Sequence, residues 1–391
     1  MPKTLWMSVM ACVLLTFGAA AQTPSQPGKA QDLLQQGAEL LKKGSADSAK
    51  ALFRQAALQD PENALAWYYL GSAELSLQES QAASESFEKA LKLDDAKPAL
   101  GRRLRRETVD GLGLSYAYQK EYAKAKSAYQ EGIAKEPDAP GLRYNMACVC
   151  ALAGERLGAI SALREALLAD ARLDAPTLPD PSADTDFKGL LGDPVFQATL
   201  LVALGPQPND RPGDGLARKG AKLMASGDFT GAAAQERAAL EENPKNVRAW
   251  FYLSGALDEL KQDQKAAEAF REALDLNVPP NASLSKPMVR RAALRSGESF
   301  LEVKSYDEAL KAFQKAAEAD PFQPWCFYGQ ARACAGLAQR EPCLAALKKA
   351  FNLKENLTVL DPPLPDPGKD PAFAQWLQDK EWQSALGNLN R

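Results

Sequence analysis

Residues 64–97, ALAWYYLGSAELSLQESQAASESFEKALKLDDAK, and residues 247–280, VRAWFYLSGALDELKQDQKAAEAFREALDLNVPP, follow one pattern of residue types. Each stretch is 34 residues long, and the two have the same residue at positions 4, 20, 24 and 27. These residues are Trp67, Ala83, Phe87 and Ala90 in the first stretch and Trp250, Ala266, Phe270 and Ala273 in the second. A fixed period of this length indicates an array of repeated units rather than a single globular core.

The same register occurs eight times along the chain, with repeats starting at residues 30, 64, 106, 140, 213, 247, 290 and 324. Position 8 is small in all eight repeats, and positions 20 and 27 are alanine in seven each. Position 24 is large and apolar in seven repeats and is Glu236 in the remaining one. Position 32 is proline in the odd-numbered repeats, at Pro61, Pro137, Pro244 and Pro321.

This distribution of small, large and proline residues predicts a helix–turn–helix unit. Small residues let two antiparallel helices approach closely, and the large residue at position 24 fills the space between neighbouring pairs. Proline cannot continue a helix and therefore ends the second one. Each pair leaves an apolar face that only the next pair can cover, so we expect the units to stack into a superhelix.

The pattern resembles the tetratricopeptide repeat family across all eight repeats. That resemblance implies an all-α fold, an α-solenoid of helix–turn–helix units in which the first helix of each repeat lines a concave surface. It also implies a protein-binding role. The proline-containing tails after the fourth and eighth repeats resemble the end-of-group segment that closes some bacterial arrays of this family.

The chain is predicted to form two four-repeat modules in tandem. Module 1 spans 30–200, with repeats at 30–63, 64–97, 106–139 and 140–173 and a closing segment at 174–200. Module 2 spans 213–391, with repeats at 213–246, 247–280, 290–323 and 324–357 and a closing segment at 358–391. Residues 201–212, which are rich in proline and glycine, form the predicted linker.

The two modules match each other beyond the repeats, which indicates a tandem duplication. Insertions occur at 98–105 and 281–289, and Leu-Pro-Asp-Pro occurs at 178–181 and again at 364–367. Each closing segment is expected to cover the last apolar face of its array. The covering residues would be Phe187, Leu190, Leu191 and Phe196 in the first module and Phe373, Trp376, Leu377 and Trp382 in the second.

Residues 1–21 have the pattern of a secretory signal peptide: Lys3, an apolar run, and Ala19 and Ala21 before the expected cleavage point. A flexible segment, 22–29, follows. We therefore expect an exported chain, located in the periplasm or outside the cell, with no integral membrane span in its mature form. An uncleaved anchor is the alternative, because the apolar run at 5–21 is marginal in length for a membrane span.

The composition argues against several classes of function. Lys and Arg number 47 and Asp and Glu 50, a formal net charge of −3, so no nucleic-acid partner is expected. The chain has no histidine, which excludes nucleophile systems that need an imidazole and HExxH zinc sites. No phosphate-binding glycine loop or metal-ligand spacing is present. We therefore predict a non-catalytic protein with no cofactor and no metal.

Five cysteines remain after the signal segment: Cys148, Cys150, Cys326, Cys334 and Cys343. Cys334 and Cys343 occupy positions 11 and 20 of the last repeat, which lie opposite each other in an antiparallel helix pair. A disulfide between them in an oxidising compartment is one interpretation. Small, buried, reduced side chains are the other.

Positions 2, 5, 6 and 9 of each repeat are expected to face the concave surface. In module 1 the candidate partner-binding residues are Tyr68, Tyr69, Tyr144 and Asn145. In module 2 they are Arg218, Arg248, Phe251, Tyr252, Arg291, Arg295, Trp325, Tyr328 and Arg332. Arginine pairs with carboxylates and aromatic rings give contact area at low entropic cost, so the second set favours an acidic, extended peptide. Internal packing of the rings and a solvated arginine face are the alternatives.

Some family members hold a C-terminal carboxylate with five conserved positions, and only Arg291 and Arg295 match that set here. We therefore predict an exported, non-catalytic scaffold or adaptor that binds extended segments of partner proteins in its concave grooves. Two modules would allow bivalent binding. Recognition of cell-wall glycan or glycopeptide by the aromatic groove is the alternative function. Salt distinguishes the two, because charged contacts are screened and ring stacking is not.

Overall fold

The computed structural model describes residues 28–173, 177–201, 211–279 and 281–387. The predicted signal peptide (1–21), most of the segment 22–29 and most of the linker 201–212 lie outside these ranges. Within them the chain is helical and has no strand, so the all-α prediction is confirmed. It divides into two compact units, Met1–Asp186 and Phe187–Arg391. The dividing point falls inside the predicted first closing segment.

The first unit contains four helix pairs, one for each predicted repeat. Their helices are α1 (Gly28–Lys42), α2 (Ala46–Gln59), α3 (Ala64–Ser76), α4 (Ser80–Ala96), α5 (Gly101–Tyr118), α6 (Tyr122–Lys135), α7 (Pro140–Leu152) and α8 (Arg156–Asp170). Each helix packs against the next one along the chain. A 3₁₀ helix, Thr185–Leu190, begins at the end of this unit.

The second unit repeats this arrangement after a short helix, α9 (Pro194–Leu200). Its pairs are formed by α10 (Asp214–Ala225), α11 (Phe229–Glu242), α12 (Val247–Glu259), α13 (Asp263–Leu276), α14 (Lys286–Glu302), α15 (Tyr306–Ala319), α16 (Pro324–Gly336) and α17 (Arg340–Asn352). The 3₁₀ helices Lys354–Asn356 and Pro371–Trp376 and the helix α18 (Lys380–Gly387) follow. The consecutive packed pairs confirm the α-solenoid of helix–turn–helix units.

The turn inside each pair contains a residue with positive φ at the same position in all eight repeats. Position 15 has a positive φ in every repeat, at Gly44, Gln78, Lys120, Gly154, Gly227, Lys261, Lys304 and Ala338. Five of these residues are not glycine, although a left-handed conformation costs such residues about 1 kcal/mol or more. The tight packing of the two helices therefore imposes the turn.

Contact between positions 8 and 24 explains why position 8 is small. A Cβ atom on Gly37 would lie 2.5 Å from the ring of Phe53, and one on Gly113 would lie 2.4 Å from the ring of Tyr129. Both rings are fully buried. The large side chain thus lies directly on the backbone of the partner helix. Phe87 also reaches the next pair, where a Cβ atom on Gly111 would lie 2.4 Å from its ring, and this between-pair contact is the one that the sequence pattern predicts.

The described cysteines, Cys148, Cys150, Cys326, Cys334 and Cys343, are all buried and carry free thiols. Burial raises the pKa of Cys326 to about 12 and also raises that of Cys334. These thiols pack as small apolar side chains, and Cys334 and Cys343 are not joined. None of the helices in the described ranges is long and apolar enough to cross a membrane.

Candidate partner-binding surfaces

The two candidate residues on α3 of the first unit differ in burial and in their contacts. Tyr68 is 2% exposed, and its hydroxyl donates to Oε2 of Glu107 on α5 at 2.5 Å. Tyr69 is half-buried, and its ring stacks on Phe53 with centroids 5.2 Å apart. The Tyr68 side chain therefore links two neighbouring repeats through a hydrogen bond, and part of the Tyr69 ring remains exposed to solvent.

The two candidates on α7 also hydrogen-bond to carboxylates. The hydroxyl of Tyr144 donates to Oδ2 of Asp184 at 2.8 Å, and the amide of Asn145 donates to Oδ1 of Asp110 at 2.9 Å. Burial raises the pKa of Asp110 to about 7, and the nearby charge of Glu107 adds to this effect. Two carboxyl groups that the sequence analysis did not single out thus lie beside the candidate residues of the first unit.

The raised pKa of Asp110 makes the stability of the first unit depend on pH. The folded chain holds this proton up to about pH 7, whereas an unfolded aspartate loses it near pH 3.9. The folded state therefore binds more protons between these values, and its stability falls as the pH rises through them. We expect Asp110→Asn, which still accepts from Asn145, to raise the melting temperature more at pH 8 than at pH 5.

Thermal unfolding at both pH values, followed by circular dichroism, measures this difference. Asp138→Asn is the matched control, because Asp138 is exposed and its change is expected to have an equal, small effect at both pH values. If Asp110→Asn raised the melting temperature by the same amount at pH 5 and pH 8, the raised pKa of Asp110 would be contradicted.

In the second unit the candidate aromatic residues are mostly buried. Phe251, Tyr252 and Tyr328 are 0%, 3% and 1% exposed. The Tyr328 hydroxyl donates to Oδ2 of Asp370 at 2.8 Å. Trp325 is half-buried, and its indole N–H donates to the carbonyl of Pro362 at 2.9 Å. These rings pack within the array, so none of them offers a full face for stacking on a glycan.

Three of the five candidate arginines pair with carboxylates of the chain itself. Arg291 and Arg295, the two that match the carboxylate-binding positions, both pair with Asp258 on α12; the Arg291 distance is 3.1 Å. Nε of Arg332 lies 3.8 Å from Oδ2 of Asp370. Arg218 is half-buried and Arg248 is exposed. The structure thus gathers Arg291 and Arg295 at one carboxylate, and their contact with a partner stays a prediction.

A segment of the chain itself lies on the first helices of the second unit. Helix α9 packs against α10 and α12. A Cβ atom on Gly192 would lie 2.4 Å from the carbonyl oxygen of Pro287 and 3.2 Å from Cβ of Arg291. A Cβ atom on Gly255 would lie 2.2 Å from Pro194. Residues 189–200, called the docked segment below, therefore run across three successive first helices, along the face predicted to bind a partner.

The docked segment and the C-terminal closing segment have the same internal geometry. Asp193 caps α9, and Asp379 accepts from the first N–H groups of α18 in the same way. Gln197 and Gln383 each donate 2.8 Å to the carbonyl oxygen six residues before them. The Phe187 and Phe196 rings are 5.6 Å apart at 43°, and the Phe373 and Trp382 rings are 5.9 Å apart at 41°.

The two segments differ in the residues they expose. The docked segment buries Gly192, Pro194, Val195 and Ala198. The corresponding residues of the C-terminal segment are Gln378, Lys380, Glu381 and Ser384, and all four are exposed. The docked segment thus presents a close-fitting apolar face, and the C-terminal segment presents polar residues to solvent at the same places.

The chain is similar to one protein family and to several solved structures. The tetratricopeptide repeat profile matches residues 34–99, 219–282 and 277–324. No match to a curated protein was found. A solved C-terminal part of a repeat-containing protein from Cytophaga hutchinsonii is 11% identical, covering 76% of this chain and 98% of that one with a TM-score of 0.36.

Two further solved structures show similar coverage. A tetratricopeptide repeat protein from Parabacteroides merdae is 12% identical, covering 75% of this chain and 93% of that one, with a TM-score of 0.32. The TPR2AB domain of yeast Sti1, solved in a pHSP90 complex, is 14% identical, covering 81% and 98%, with a TM-score of 0.29.

Eight helix pairs with one common turn define a helical repeat solenoid, a class of protein that presents an extended surface along its first helices. The spacing of small and large residues within each pair, together with the matching profile, identifies the family. The chain is a tetratricopeptide repeat protein.

Proposed function

We propose that the protein is an exported, non-catalytic scaffold that binds extended segments of partner proteins on the concave faces of its repeats. The docked segment carries this proposal, because it is a stretch of polypeptide that lies across α10, α12 and α14. Export is supported by the signal-peptide pattern of residues 1–21.

The docked segment also indicates what the second face accepts. Its contact residues are small or apolar, and Gly192 fits against the backbone of Pro287, where no Cβ atom has room. Shape therefore selects the ligand more than hydrogen bonding does. A partner that uses the same surface has to displace this segment, which is present at high effective concentration because it belongs to the same chain.

Charge would give the two faces different partners. On the first face Glu107 lies near Tyr69, which favours a basic segment. On the second face Arg248 is exposed, and the Arg291 side chain remains 39% exposed while paired with Asp258. An acidic partner segment suits that face, and its binding would weaken as salt screens these charges.

A peptide supplied in trans tests whether the second face binds polypeptide. In the full chain, Gly192→Val places a side chain against the Pro287 carbonyl and is expected to release the docked segment. A fluorescent peptide of residues 187–200 should then bind this variant at least ten times more tightly than the wild type, whose face is already covered. Fluorescence anisotropy measures both affinities.

Gly215→Ala is the matched control, because a Cβ atom there meets nothing within 4 Å; it should behave as the wild type does. A folded Gly192→Val variant that does not bind the peptide would overturn the proposed use of this face. Equal peptide affinity for the variant and the wild type would do the same.

A further inference from the structure

Cys148, Asp184 and Asp186 form a buried cluster in the first unit. Cys148 lies on α7, and the two aspartates lie at the start of the 3₁₀ helix Thr185–Leu190. One potential ligand atom from each side chain lies within 4.8 Å of the other two. The three residues are 1%, 4% and 8% exposed. None of the three residues belongs to the docked segment, 189–200, or to the first helices of the second unit.

One oxygen in the cluster has no partner. Oδ2 of Asp186 is buried, and no hydrogen-bond donor from the described part of the chain reaches it. An unpaired buried carboxylate oxygen is costly, and buried charges are normally paired or bound to metal. The neighbouring Asp184 adds a second buried carboxyl group. The cluster therefore has the arrangement and the charge of a cation site.

In the second copy of the duplicated unit, a positively charged side chain of the chain itself occupies the place that corresponds to this cluster. Tyr144 donates to Asp184 at 2.8 Å, and Tyr328 donates to Asp370 at the same distance. The residue that corresponds to Cys148 in the second copy is Arg332, whose Nε lies 3.8 Å from Asp370. Asp186 corresponds to Ala372. The first copy thus has a thiol and a further carboxyl group where the second has a guanidinium and a methyl group.

We propose that Cys148, Asp184 and Asp186 bind one divalent transition-metal ion of the zinc class. One sulfur and two carboxylate oxygens suit a borderline ion such as Zn²⁺, whereas Ca²⁺ and Mg²⁺ prefer oxygen alone. Tetrahedral bonds of ordinary length place a zinc-bound sulfur and oxygen about 3.6 Å apart. Sγ of Cys148 lies 3.9 Å from Oδ2 of Asp184, so only a small contraction is needed.

Neighbouring groups hold the central carboxylate in place. Oδ1 of Asp184 accepts the backbone N–H of Asp186 at 3.0 Å, and Oδ2 accepts the Tyr144 hydroxyl. Such outer contacts orient metal ligands. Because the Cys148 thiol has to lose its proton to become a ligand, metal binding should release a proton.

Cobalt and zinc titrations of the full chain, kept reduced, test the site. Co²⁺ should produce a saturable sulfur-to-cobalt charge-transfer band at one ion per chain, and Zn²⁺ should abolish the band. Cys148→Ser should remove the band and weaken Zn²⁺ binding at least tenfold. Cys150→Ser, which changes another buried thiol of the same helix, should keep both.

A second variant remains informative if Cys148→Ser does not fold. Asp186→Ala installs the residue that the second copy has at this position, so folding should be preserved, which circular dichroism verifies. We expect Zn²⁺ to raise the melting temperature of the wild type but not that of Asp186→Ala. A wild type that gives no band and no saturable Zn²⁺ binding would overturn the proposal. So would undiminished affinity in Cys148→Ser and Asp186→Ala.

Discussion

Replacing Glu236 with leucine is expected to raise the free energy of unfolding of the second unit by roughly 2 to 4 kcal/mol at pH 8, the scale of one unsatisfied buried carboxylate. Glu236 is 0% exposed, and neither of its carboxylate oxygens has a hydrogen-bond partner among the described residues. It stands at position 24, where two other repeats have Leu163 and Leu347. Leucine therefore fits the position by size as well as by polarity.

The gain should depend on pH in a defined direction. Burial raises the pKa of Glu236 well above its usual value, whereas an unfolded glutamate titrates near pH 4.3. The folded state thus binds more protons than the unfolded state above that pH, and the wild type loses stability as the pH rises. Leucine has no such loss, so the gain is larger at pH 8 than at pH 5.

Urea unfolding at the two pH values measures the gain, with the second-unit tryptophans as the fluorescence probe. Glu241→Leu is the control, because Glu241 lies on the same helix and is exposed; it should change stability little and equally at both pH values. A destabilised Glu236→Leu variant would mean that the buried carboxylate has a partner that holds it in place.

The repeat register was predictable from the sequence because the contacts that set it are local. Gly37 and Phe53, or Gly113 and Tyr129, lie 16 residues apart and meet within one helix pair. A 34-residue pattern therefore contains all the information for one unit. The sequence contains no comparable signal for the positive φ at position 15, because residues as different as Gln78, Ala338 and the glycines all adopt it.

The contacts around the candidate sites were not predictable in the same way, because they join neighbouring repeats. Arg291 and Arg295 meet Asp258 at separations of 33 and 37 residues, and Cys148 meets Asp184 at 36. The stacking of one pair on the next decides these partners. A comparison of the two duplicated halves could have indicated them, since Cys148 and Asp186 replace the arginine and alanine of the other copy.

The docked segment was missed for a related reason. Its resemblance to the C-terminal closing segment predicted that both end an array, and their internal geometry is the same. What differs is the outer face, where Gly192, Pro194 and Val195 correspond to Gln378, Lys380 and Glu381. Small and apolar residues at these places indicate a buried contact, and polar ones indicate water.

Trp382→Ala is expected to destabilise the second unit by about 3 to 5 kcal/mol, the usual cost of removing a large buried ring. Trp382 is 0% exposed, and its ring lies 5.9 Å from Phe373 and 4.7 Å from Trp376. Helix α18 has only eight residues and cannot persist without this contact. Its loss would expose Phe373, whose ring packs on Tyr328 of the last repeat.

Trp382→Phe separates the contribution of the ring from that of its polar group. Phe196 occupies the corresponding place in the docked segment, so a phenyl ring fits this geometry. The indole N–H of Trp382 is buried without a hydrogen-bond acceptor in the described structure; phenylalanine removes that cost while giving up part of the packing. We therefore expect Trp382→Phe to change the free energy of unfolding by less than about 1.5 kcal/mol. Equal losses in the two variants, measured by urea unfolding, would show that the indole itself, rather than an aromatic ring, closes the array.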